Sequence, residues 1–258
     1  MDISFLYDYL YEKIRFKIFD EHNIKRYIND VIDYLELNDY LTDVLFTEDK
    51  YVNLAAYNFQ YRTIKVSMKA IINEARMVIN MMNDKSDYEL KINLFILEAL
   101  IHEIHHVYHN YLVRECDNGI STIFYNQLSH FYREDEQSNC EYESYYNKLI
   151  FERDANISAI ENILRIIQKH LDNKEIYDYY YSELKKFILA GYVVEDSRII
   201  SPFEIVQGEL LKLEMLTVEG IDLYDRLKLG FQVSRDEFEY FNDNSDEIIL
   251  TKNNLHRI

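Results

Sequence analysis

The run Leu97-Glu98-Ala99-Leu100-Ile101-His102-Glu103-Ile104-His105-His106-Val107-Tyr108-His109 sets four imidazoles into an otherwise largely apolar stretch. The apolar positions Leu94, Leu97, Ile101, Ile104, Tyr108 and Leu112 recur at helical spacing, which predicts a helix partly buried in a core. Buried imidazoles cost desolvation unless they have partners, so such a helix needs something to bind. His102 and His106 stand four apart, about 40° from one another around a helix axis, and can hold one zinc ion together. Glu103 lies about 100° round from His102, where its carboxylate reaches a water beside the metal rather than the metal itself. His-Glu-x-x-His is thus a ligand–base–ligand arrangement suited to hydrolysis. His105 and His109 are also four apart, and are expected to support the ligands or line the rim.

Composition narrows the partners. The chain has 258 residues, 48% of them apolar, which is enough for one large domain or a domain with a helical annex. A net charge of −18, with both signs scattered along the chain, argues against nucleic-acid and anionic-membrane binding. No apolar run is long enough to span a membrane. The start Met1-Asp2-Ile3-Ser4-Phe5 lacks a basic leader, so a cytoplasmic protein is expected. Cys116 and Cys140 have no Cys-x-x-Cys neighbours and are expected to be reduced, structural thiols.

Along the chain, residues 3–19 and then Ile24 to Leu35 read as helices, the second stopping at Asn38-Asp39. The period then shortens. Val44-Leu45-Phe46, Tyr51 to Tyr57 and Tyr61 to Ser67 read as strands of a small antiparallel sheet with a turn near Asn58. Met68 to Met82 is helical again, and Ser86 with Glu89 forms a capping box for the histidine helix, which ends before Asn118-Gly119. Residues 120–132 have helical character, and 133–143 form an acidic loop. Helical spacing resumes from Tyr145 to His170. Beyond a soft boundary near residue 172 the chain is expected to be wholly helical, with helices over Glu175 to Leu189, 203–215, 217–229 and a last short one capped by Ser234 and Glu237.

Zinc needs a third protein ligand. His109, Asp117, His130, the acidic loop and Glu152 are candidates. Glu152 is preferred, because it opens a well-patterned helix and a rigid helix positions a ligand better than a loop. Small Ala155 allows close approach of that helix, and Asp154 or Asn156 can hydrogen-bond ligating groups.

His-Glu-x-x-His followed by Glu152-Arg153-Asp154-Ala155-Asn156 resembles the ImmA/IrrE group of zincin-like metallopeptidases. The strand Arg62 to Ser67 is similar to the edge strand of that fold. The resemblance covers about residues 50–165. It implies an α+β, mostly α protein, with a zincin-like domain over 1–172 and a helical region over 173–258. It also implies zinc on His102, His106 and Glu152, with Glu103 as general base and a polypeptide substrate or regulatory protein as partner. Tyr108 is one candidate to stabilise an oxyanion. A non-catalytic zinc-binding regulator on the same scaffold, or a metal-dependent hydrolase of other substrates, stays open beside this reading.

If the thiols are structural, a Cys116→Ser, Cys140→Ser double variant keeps its zinc by elemental analysis. Loss of metal would make them ligands.

Overall fold

The structure, a computed structural model, describes residues 3–8, 11, 17–48, 54–115, 149–202 and 221–255. Cys116, Asp117, His130, Cys140, the acidic segment 133–143 and the helices expected at 120–132 and 203–215 lie outside the described residues. The fold is α+β and mostly helical. Two compact units each combine distant stretches of chain. One draws on Met1–Arg114 and Ser158–Tyr180, the other on Glu115–Ile157 and Tyr181–Arg257.

In the first unit, α1 (Glu21–Tyr34) starts where the Asp20 carboxylate accepts from the Asn23 N–H at 2.9 Å. It buries Ile24, Tyr27, Ile28, Val31 and Ile32 along one stripe. Three short strands follow: β1 (Asp43–Phe46), β2 (Ala55–Asn58) and β3 (Thr63–Val66). In β3, Ile64 and Val66 are buried and Lys65 exposed, as its alternation requires. The β2–β3 turn closes on Asn58, whose side-chain oxygen accepts from the Gln60 and Tyr61 N–H groups.

The sheet order is β1-β3-β2, and β1 runs parallel to β3 while β2 is antiparallel to it. This corrects two expectations: the sheet is mixed rather than antiparallel, and the Arg62-to-Ser67 strand is central rather than an edge. Alternation reports which face is buried but not strand direction. Two further bonds flank β1 and extend its pairing with the β3 side, Thr42 N–H to Arg62 C=O at 2.7 Å and Thr47 N–H to Val66 C=O at 3.0 Å.

Helix α2 (Met68–Met81) leads to α3 (Tyr88–Glu115), which carries the histidines. From Leu90 to Leu97 every α3 side chain is buried, and Leu100, Ile101, Ile104 and Val107 are fully so. The helix is therefore enclosed on all sides from Leu90 to Leu97 rather than buried along one stripe there. The expected capping box at Ser86 does not form, because the Ser86 hydroxyl donates to Asp84 at 2.8 Å. The Asp84 carboxylate also accepts from the Ser86 N–H and from the side-chain amide of Asn173, and its pKa is held down to about 2, chiefly by the Ser86 N–H. Buried Asn93 ties α3 to the segment before α1, accepting from Phe19 N–H and donating to Lys17 C=O.

Helix α4 (Ile150–His170) and α5 (Lys174–Leu189) follow. In the second unit, α5 ends near Gly191 and gives way to a two-stranded hairpin, β4 (Val193–Val194) with β5 (Ile199–Ile200). The region after residue 172 is thus not wholly helical. Paired β-branched residues flank a polar turn there, closed by Glu195 N–H to Arg198 C=O at 3.0 Å. Helix α6 (Leu223–Leu229) ends at left-handed Gly230, and α7 (Arg235–Lys252) opens on the Ser234–Glu237 capping box. That last helix has 18 residues and is not short.

Arg153 holds this second unit together. Its guanidinium is buried and donates to four main-chain carbonyls: Ile188 at 2.9 Å, Ala190 at 2.5 Å, Leu227 at 2.8 Å and Lys228 at 3.2 Å. These are the C-terminal carbonyls of α5 and α6, where the helix dipole favours a cation. Burial pulls the Arg153 pKa down to about 10, so it stays charged at neutral pH. A Cβ on Gly230 would lie 2.9 Å from Arg153 Nε and 3.2 Å from Pro202 Cβ, at a backbone φ of +78°. Gly230→Ala is therefore expected to cost more than about 1 kcal/mol, read as a lower denaturation midpoint. An unchanged midpoint would show that the Arg153 cluster absorbs the methyl group.

Candidate metal centre

The two motif histidines converge. His102 Nε2 and His106 Nε2 are 2.9 Å apart, with the rings edge-on at 86°. Two nitrogens sharing a tetrahedral zinc at ordinary bond lengths would lie about 3.3 Å apart, so only a small opening separates this geometry from a chelating pair. Neighbouring Glu103 is buried, and its Oε1 lies 4.0 Å from His102 Nε2. Its carboxylate thus lies near the His102 nitrogen.

Side chains of metal-ligating type stand in each unit: His102, His105, His106 and His109 on α3 in the first, Glu152 and Asp154 on α4 in the second. Two imidazoles and a carboxylate are a donor set that zinc accepts with one position left open. Glu152 is buried in the first turn of α4, next to Arg153. The Asp154 carboxylate pairs with the Lys228 ammonium at 3.3 Å.

Around the pair, Phe59 sets its ring 6.1 Å from that of His106. Tyr57, the third residue of β2, accepts at its hydroxyl from Asn110 Nδ2 at 2.7 Å and donates to Tyr40 C=O at 2.6 Å. Asn110 in turn accepts from Arg114 Nε at 2.8 Å. The end of β2 is therefore tied to α3 one turn beyond His106. Tyr108 packs its ring against His105 and Tyr111. Of the alternative third ligands, His109 directs its Nδ1 at His106 Nδ1, 3.3 Å away, not at the Nε2 pair.

Some residues that shape the site escaped the sequence reading. Glu98, His102, His106 and Asn110 repeat every four residues, a polar stripe that was available in the sequence. Glu98 accepts from the Tyr180 hydroxyl at 3.1 Å, and burial, ahead of the charge of Glu98, raises the Tyr180 pKa well above its usual value. Arg153 carried no such signal, since its partners are main-chain carbonyls.

No protein-family model, curated protein or solved structure matches the chain. The geometry of these residues therefore carries the functional reading.

Purified protein is expected to hold about one zinc per chain, lost in His102→Ala or His106→Ala and markedly weakened in Glu152→Ala. Full zinc occupancy in all three variants would place the ion elsewhere.

Proposed function

We propose that the chain is a zinc-dependent metallopeptidase acting on a polypeptide, selective for a partner protein. The observation that carries this reading is the convergence of the His102 and His106 Nε2 atoms, with the Glu103 carboxylate 4.0 Å from one of them. His102, His106 and Glu152 would hold the ion. Zinc, when bound, lowers the pKa of a water and polarises the scissile carbonyl.

The residues of the chain supply the rest. Glu103 takes the proton of the attacking water on its carboxylate and passes it to the leaving amine. His102 keeps more exposure than His106, so substrate approaches from the His102 side. Among the described residues, β2 pairs only on its β3 side, and its outer edge offers main-chain pairing to an extended segment. The Tyr57–Asn110 hydrogen bond fixes that edge relative to the histidine helix. Among the described residues no helix is long and apolar enough to cross a membrane.

Glu103→Gln preserves shape and removes the base. The variant is expected to fold and bind zinc as the parent does, while turnover of a cleaved protein in a cellular extract falls by at least about 10²-fold. Equal turnover would sink the mechanism. Absence of any cleavage by the parent across varied extracts would favour the zinc-binding regulator instead.

A further inference from the structure

The proposed metal centre leaves His109 unused, although it is wholly buried on the same helix face as His106, three residues on. We infer that His109 is the positioning residue that fixes which nitrogen His106 offers to the metal. This rests on the zinc reading above.

The argument follows the protons. A neutral imidazole carries one N–H, so a lone pair at His106 Nε2 requires its proton on Nδ1. That Nδ1 faces His109 Nδ1 at 3.3 Å, and both residues are buried. One nitrogen must donate and the other accept. With His106 donating, His109 accepts at Nδ1 and carries its own proton on Nε2. His106 Nε2 then has its lone pair directed at His102 Nε2, 2.9 Å away, before any ion arrives. The opposite assignment would put the His106 proton on Nε2, where a metal must go. Partners of this kind orient a ligating ring and raise its basicity.

The competing use of His109 is as a metal ligand in its own right. Its Nδ1 is already engaged with His106 Nδ1 at 3.3 Å. The observations therefore favour a positioning role.

The test measures zinc affinity by competition with a chromophoric chelator, zinc stoichiometry by elemental analysis, and the His106 ring proton by long-range ¹H–¹⁵N correlation in zinc-loaded protein. Asparagine is the informative rescue, because its side-chain oxygen occupies the place of Nδ1. His109→Ala is expected to bind zinc roughly 10- to 100-fold more weakly at unchanged stoichiometry. His109→Asn should stay within about threefold of the parent, with the His106 proton on Nδ1 in both. Should His109→Ala fail to fold, the asparagine variant and the parent's ring-proton assignment decide. Unchanged affinity in His109→Ala, or a His106 proton on Nε2, would overturn the role while leaving the zinc reading intact. Two zinc ions per parent chain, one lost with His109, would make it a ligand instead. A parent that binds no zinc would remove the zinc reading itself and this inference with it.

Discussion

Desolvation of polar groups on one enclosed helix is the constraint on which this structure turns. Helix α3 takes Asn93, Glu103, His105, His106, His109 and Asn110 out of water along with its aliphatic side chains. Each such group must find a partner or destabilise the fold by a few kcal/mol. Asn93 meets main-chain groups, Asn110 meets Tyr57 and Arg114, and His106 meets His102 on one side and His109 on the other. The imidazoles are thereby held in fixed orientations by the same contacts that make their burial tolerable. Pre-orientation of ligands is what a metal site requires, since rings already in place lose little freedom on binding.

Arg153 solves the equivalent problem in the second unit by another route. Among the described residues no carboxylate partners the buried guanidinium; its fork is matched by carbonyls at the ends of α5 and α6. Two helix termini that would otherwise present orphan acceptors are satisfied by one side chain. The residue before it is Glu152, so the anchor of the fold and the proposed third ligand sit side by side in one helical turn.

Legibility in the sequence followed the range of the interactions. The alternation of Ile64, Lys65 and Val66, the Asn58 turn, the Gly230 stop and the Ser234–Glu237 box are local, and each was readable from a few neighbouring residues. The histidine pair was readable for the same reason, since helix geometry alone brings positions four apart together. What depended on distant partners was not. Ser86 looked like a cap until Asp84 claimed its hydroxyl, the β4–β5 hairpin was hidden by its two-residue strands, and Arg153 reads as a surface residue until its carbonyls are known. Strand direction belongs to this second group, because β1 and β3 meet only after the chain has passed through β2.

That last feature orders events in time. The β2–β3 hairpin closes over a handful of residues around Asn58, whereas Asp43 meets Thr63 only by closing a loop that contains the hairpin. Loop-closure entropy makes the local pairing the faster one, so the hairpin serves as a template and β1 docks onto its far side afterwards. Until it does, β3 presents a second open edge. An open strand edge is where wrong pairings start, so β1 caps an aggregation-prone edge of β3 as well as completing the sheet.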